Sequence, residues 1–220
     1  MPSILLPRGT VSTTGVSFNP GAIVSQDPIA NHLHASLAAL QRATQDPALL
    51  DVARMIAAAM IAGLRAGHKV LIIGNGGSAA DAQHIAAELV GRYKHDRPAY
   101  AAVALTTDTS ALTSIANDYG FEQVFARQVE GLGQRGDVLL ALSTSGKSPN
   151  IVAALRVARE RGLITIGFTG SKGENLRACC DQLLIAPSHD TPVIQQIHLA
   201  IAHGICDEIE QAMMGERSGR

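Results

Sequence analysis

Apolar residues along this chain follow two rhythms. Five short runs are continuous and rich in Val, Ile and Leu: residues 70–73 (VLII), 100–105 (YAAVAL), 137–142 (DVLLAL), 163–168 (LITIGF) and 182–186 (QLLIA). That is the pattern of strands buried on both faces. Elsewhere apolar positions recur every three or four residues, as helices with one packed face require. Ile29, Leu33, Leu37 and Leu40 mark a first helix, capped by Asp27 with Pro28 in its first position. Asp46-Pro47 opens a second, which carries Leu50, Val52, Met55, Ile56, Met60 and Leu64 as far as Gly67. This second helix is apolar around most of its circumference, so it is expected to need cover from a sheet and from a partner subunit. Further helices are predicted over residues 78–88, 110–116, 121–132, 151–161 and 175–180, with a loop at 117–120. A last helix is predicted from Thr191, as N-cap, to about Met214.

Strands alternating with helices imply parallel βαβ units with right-handed crossovers. The expected fold is therefore α/β, a three-layer αβα sandwich around a five-stranded parallel sheet, flavodoxin- or Rossmann-like. Ligands in such sheets bind beyond the carboxyl ends of the strands, near the point where strand order reverses. No repeat or linker interrupts the alternation, so residues 28–220 are read as one domain. Residues 1–27 are rich in Gly, Pro, Ser and Thr and show no helical period, so they are read as a flexible extension. Ile4-Leu5-Leu6 is too short for a signal-peptide core, and Arg8 lies after it, not before.

Composition narrows the classes. With 3% aromatic residues and no Trp, the core must be built from Ala, Leu, Ile and Val. A net charge of −1 without a basic stripe gives no support to a nucleic-acid partner. No apolar run approaches the ~20 residues of a membrane span, so no membrane partner is expected. Cys179, Cys180 and Cys206 are odd in number and form no CxxC. They are read as reduced, buried thiols of a cytoplasmic protein.

Chemistry concentrates at two loops and two helices. Gly74-Asn75-Gly76-Gly77 follows the first strand and runs into a helix beginning near Ser78. A Gly-rich turn at a helix N-terminus presents free N–H groups and the positive end of the dipole to an anion. It is neither GxGxxG nor a P-loop, and the plain alternative is a structural βα connection. Ser143-Thr144-Ser145-Gly146-Lys147-Ser148 follows the third strand. Its four hydroxyls exceed what capping needs, which favours phosphate recognition. His84 and Glu88 lie four apart and so share a helix face. On the residues alone they are a solvated pair, a metal-ligand pair or an acid–base pair. On the last helix Gln195 and His203 lie eight apart and share a face, whereas His198 points elsewhere and is read as structural. Together with His84 and Glu88 they would offer four N and O donors to Zn²⁺, or a Glu and a His that move a proton between adjacent carbons. His32, His34 and His68 are read as surface residues.

The combination GNGGSAADAQHIAAE, ALTTDTSALTSIANDYGFE, STSGKSPN and TPVIQQIHLAIAH resembles the sugar isomerase (SIS) domain family, over nearly everything from Asn31 to Met214. The resemblance implies an SIS fold and an aldose–ketose isomerase. Within the family, this chain is similar to the members that turn sedoheptulose 7-phosphate into D-glycero-D-manno-heptose 7-phosphate through a cis-enediol, on the way to lipopolysaccharide heptose. It implies substrate contacts at Asn75, Gly76, Gly77, Ser78, Asn117 and Asp118, with Asp81 also at the active site. It implies phosphate contacts at Ser143, Thr144, Ser145 and Ser148. One zinc ion per subunit is implied on His84, Glu88, Gln195 and His203, with Glu88 and His203 as the acid–base pair. A homotetramer with shared active sites is implied as well. Three other readings stay open: a replication-initiator-binding tetramer without catalysis, an isomerase of another sugar phosphate, and a sugar-phosphate sensor.

Overall fold

The computed structural model describes residues 27–215, so the extension expected over 1–27 lies outside the described residues except for Asp27. Five strands form one all-parallel sheet in the order β2-β1-β3-β4-β5: β1 (Val70–Gly74), β2 (Ala102–Ala104), β3 (Val138–Leu142), β4 (Ile164–Gly170) and β5 (Gln182–Ala186). Seven helices accompany them: α1 (Pro28–Thr44), α2 (Pro47–Arg65), α3 (Gly77–Val90), α4 (Thr109–Tyr119), α5 (Ala126–Leu132), α6 (Pro149–Glu160) and α7 (Thr191–Gly215). The strand period of two divides β1 between the faces. Val70 and Ile72 pack with α2, α3 and α7, while Leu71 and Ile73 pack with α5 and α6. Each Leu, Ile or Phe buried in these two layers contributes about 1.5–3 kcal/mol. A smaller cluster joins α1 to α7 through Ala39, Ala43, Val193 and Ile197.

The expected elements are present, with local differences. β2 is a three-residue strand at the edge of the sheet among the described residues, shorter than its apolar run. α4 continues through Asn117 and Asp118, where a loop was expected; the chain breaks at Gly120, whose φ of 86° suits only glycine. Residues 121–123 and 174–179 form 3₁₀ turns. Asp27, Asp46 and Asp108 cap α1, α2 and α4 through their carboxylates. At 19 residues and a mean hydropathy of 1.6, α2 is long and apolar enough to cross a membrane, which corrects the expectation that no such segment exists. Its charged Asp51 and Arg54 and its packing of Ile56, Ala57 and Met60 in the core are those of a helix laid on a sheet. The apolar stripe of α1 faces outward: Ile29, Leu33 and Leu37 are more than half exposed, and the helix instead buries Ser36, Ala39 and Ala43. His34 is exposed, and His32 and His68 lie partly exposed at the surface.

Candidate active site

The two predicted loops meet where strand order reverses, beyond the carboxyl ends of β1 and β3. The β1 loop turns at Gly76, with φ 56° and ψ −121°, a conformation that a side chain would strain. The β3 loop runs into α6 at Ser148. A double amide hydrogen bond ties the loops together: Asn75 Nδ2 donates to Asn150 Oδ1 and Asn150 Nδ2 to Asn75 Oδ1, both at 2.9 Å. The Asn75 side chain, expected to meet substrate, is therefore committed to Asn150, and its neighbour Gly76 supplies the open edge.

Between the loops lies a pocket of about 320 Å³ lined by Gly76, Gly77, Ser78, Ser143, Thr144, Ser148, Thr191 and Gln195, with Asn75 at its wall. Two helix N-termini open on it, those of α3 and α6. Neither Gly76 nor Ser148 makes a side-chain cap, in contrast to the Asp-capped α1, α2 and α4. Ser78 N and Ala79 N donate within their own turn to the Asn75 and Gly76 carbonyls, and Pro149 has no N–H, so what the two helices leave for an anion is chiefly their positive dipole ends. Ser143 Oγ and Ser148 Oγ lie 3.3 Å apart, and Ser145 Oγ accepts from Lys147 N at 3.2 Å. Gln195 Nε2 donates to Ser78 Oγ at 3.3 Å.

α3 and α7 lie side by side in the same direction, so residues further along one meet residues further along the other. Two turns beyond Ser78 and Gln195, His84 Nε2 stands 2.9 Å from His203 Nε2 and 3.2 Å from Glu88 Oε1. Nitrogen or oxygen atoms of His84, Glu88 and His203 all lie within 4.8 Å of one another. The His203 ring is held between the edge of His84, at 5.1 Å and 70°, and the face of Tyr93, at 5.6 Å and 21°. Asp81, one turn before His84, has a buried Oδ2 without a hydrogen-bond partner; burial raises its pKa, against the opposing pull of His84. His198 is structural, as expected: it is fully buried, with Nε2 3.0 Å from the Thr169 carbonyl, and burial pushes its pKa down to about 4. Burial likewise pushes the Cys180 and Cys206 thiols up to about 12.

Three expected placements differ. Ser145 is exposed and lines an adjoining cavity with Lys147 and Lys172, not this pocket. Gln195 is separated from His203 by about 12 Å along α7, and its carboxamide is turned to Ser78 and the pocket, so the His–Glu–His group gathers without it. Asn117 and Asp118 are exposed at the end of α4, hydrogen-bonded to each other at 2.8 Å, and do not line the pocket. Sequence reasoning passed over Thr191, Asn150 and Tyr93. Asn150 was detectable as a polar residue at the start of an otherwise apolar helix; Tyr93 carries no local signal.

A phosphate-sized cradle at an α/β switch point, beside a carboxylate and two imidazoles, defines a phosphosugar-handling domain, and the chain belongs to the SIS domain family, which matches residues 31–170. A phosphoheptose isomerase of Bradyrhizobium sp. (strain ORS 278) is 70% identical over 84% of this chain and 94% of that relative. Among solved structures, a phosphoheptose isomerase from Neisseria gonorrhoeae is 45% identical with a TM-score of 0.78, covering 83% of this chain and 97% of that one. One from Francisella tularensis is 37% identical with a TM-score of 0.81, covering 86% and 100%. Within the SIS family, this chain falls among the phosphoheptose isomerases, which are aldose–ketose isomerases.

Proposed function

We propose that this chain interconverts sedoheptulose 7-phosphate and D-glycero-D-manno-heptose 7-phosphate, supplying the heptose of lipopolysaccharide in the cytoplasm. The observation that carries the reading is the convergence of Glu88 with His84 and His203 on the two helices that also flank the phosphate-sized pocket. The phosphate is held by the hydroxyls of Ser143, Thr144, Ser145 and Ser148 and by the positive N-terminal ends of α3 and α6. Gly77, Ser78 and Gln195 line the sugar's path from that anchor towards Glu88. Glu88 takes the C–H proton from one of the two reacting carbons and returns it to the other. His203 moves the hydroxyl proton, so the cis-enediol forms and collapses with no net loss of atoms or electrons. Asp81 and Gln195 position the substrate's hydroxyls.

The His84–Glu88–His203 set also suits zinc. Its 2.9 and 3.2 Å separations are within a few tenths of the ~3.3 Å edge of a tetrahedron with ~2.0–2.1 Å bonds, and two imidazoles with a carboxylate are a familiar catalytic donor set. Bound there, zinc would supply Lewis-acid polarisation of the sugar oxygens. Gln195, expected as the fourth ligand, would supply an amide oxygen to the same ion. We also read residues 28–220 as one SIS domain carrying residues 1–27 as an extension, and the assembly as a homotetramer. Support for the tetramer comes from the outward apolar stripe of α1 and from Asn117 and Asp118, which stand on the surface where a neighbouring copy's site can use them.

An isomerase assay with sedoheptulose 7-phosphate, with and without a chelator, tests reaction, substrate and metal need together. Glu88→Gln is expected to lose turnover by about 10³-fold or more while still binding the sugar phosphate. Wild-type turnover in that variant would remove Glu88 from the mechanism.

A further inference from the structure

The loop between α3 and β2 is built around a buried ion pair that neither the pocket nor the proton-transfer chemistry uses. Glu210, on α7, is fully buried and receives hydrogen bonds on both carboxylate oxygens. Oε1 accepts from Tyr93 N and Arg97 Nε, both at 3.0 Å; Oε2 accepts from Lys94 N at 2.8 Å and His95 N at 2.9 Å. Burial pushes Glu210 up, but the three backbone N–H groups and Arg97 outweigh it and hold it below its ordinary value.

Arg97, with only 3% of its side chain exposed, spends its remaining donors on the end of α3. Nη2 donates to the Glu88 carbonyl at 2.7 Å, and Nη1 to the carbonyls of Leu89 at 2.8 Å and Gly91 at 3.3 Å, as well as to that of Pro98 in the loop itself at 3.0 Å. The Leu89 carbonyl also accepts from Tyr100 N at 3.0 Å; at this helix end a cation adds a partner for the terminal carbonyls and meets the negative end of the dipole. The guanidinium also lies 3.9 Å over the Tyr100 ring.

One end of this clamp touches a reacting residue directly and the other acts through Tyr93. Arg97 grips the backbone of Glu88 itself. Glu210 fixes the backbone N–H of Tyr93, whose ring is the wall against which His203 stacks. A buried pair costs desolvation that well-packed apolar residues avoid; here its hydrogen bonds are spent where the Glu88–His203 geometry is set.

We propose that Arg97 and Glu210 are positioning residues for the isomerase reaction, holding Glu88 and His203 in register from behind. This rests on the function proposed above, and the experiment separates the two. Glu210→Gln puts an NH₂ group against two N–H donors and opens the clamp. Arg97→Lys keeps the charge but cannot reach all the carbonyls. In the full chain, each is expected to lower kcat about tenfold or more with KM changed less than threefold, because the phosphate cradle is untouched. Each is expected to weaken Zn²⁺ binding by about 10–100-fold in titration against a chelating indicator, the range found when the outer support of a ligand is removed. Each is also expected to shift the His203 ring-proton resonances in the metal-free protein as the Tyr93 stack loosens. Failure of the wild type to isomerise sedoheptulose 7-phosphate would sink the proposed function, while the resonances would still judge the clamp. If Glu210→Gln does not fold, Arg97→Lys carries the test. A folded variant with unshifted His203 resonances, and with kcat and zinc affinity within threefold of wild type, overturns the proposal even if its melting temperature falls.

Discussion

Replacing Gly74 with alanine should do far more harm than its size suggests. Gly74 ends β1 directly beneath the first turn of α3, and a Cβ there would stand 2.6 Å from the carbonyl carbon of Ser78 and closer still to its oxygen. Ordinary contact begins near 3.4 Å, so clearing the oxygen requires the strand end and the helix to separate by about 1 Å. Nothing flexible absorbs this, because the obstacle is backbone inside a helix. Overpacking of this kind costs about 1–3 kcal/mol. The larger effect is on turnover: α3 carries Ser78 at one end of the site and His84 and Glu88 at the other, and a displacement near 1 Å can cost on the order of 10²-fold in rate. Gly77→Ala is the matched control. Its Cβ would meet the tip of the Gln195 side chain, at 2.6 Å from Nε2, which can swing aside. Gly77→Ala should therefore keep its stability to within about 1 kcal/mol and show its defect mainly in KM. Urea unfolding and steady-state kinetics on both variants give the comparison. A Gly74→Ala protein with wild-type kcat and an unchanged unfolding midpoint would refute the argument that α3 is seated rigidly on the strand end.

Two other outcomes follow from burial. His198 is neutral in the folded protein, with a pKa near 4 against 6.5 when unfolded. As pH falls from 6.5 to 4 the unfolded chain gains a proton that the folded one refuses, so stability is complete above pH 6.5 and declines by about 3 kcal/mol across that window. His198→Gln should lose less over the same range; urea midpoints at pH 7 and 4.5 that shift equally in both proteins would exclude His198 as the cause. On α1, Leu33→Asp with Leu37→Asp, at positions 61% and 52% exposed, should leave each subunit folded and lower the mass measured by light scattering. An unchanged mass would place the subunit contacts elsewhere.

Most of the fold was legible because the strands are buried on both faces and read as unbroken apolar runs, while Asp-Pro pairs announce α1 and α2. The end of α4 was not. Asn117-Asp118 suggests a turn, but the helix continues until Gly120 offers the backbone that ends it. Of the site, His84 with Glu88 was legible from helical spacing, and the hydroxyl-rich loop from its composition. The orientation of Gln195 was not, since a shared helix face says nothing about which of two neighbours, two turns apart, a carboxamide will choose. Arg97 and Glu210 were invisible because partners 113 positions apart leave no local pattern. Only the folded chain shows that a charged residue in a polar loop has been taken inside.

The paired amides of Asn75 and Asn150 have a consequence for acidity. Neither side chain ionises, and the groups around them in the cradle are hydroxyls and peptide N–H. The mouth of the pocket thus keeps its width whether the solution is sour or alkaline. The pH dependence of the grip on a phosphate monoester is left to the guest, whose second proton leaves near pH 6, and to the flank where Lys147, Lys172 and His189 stand beside Thr144 and Ser145.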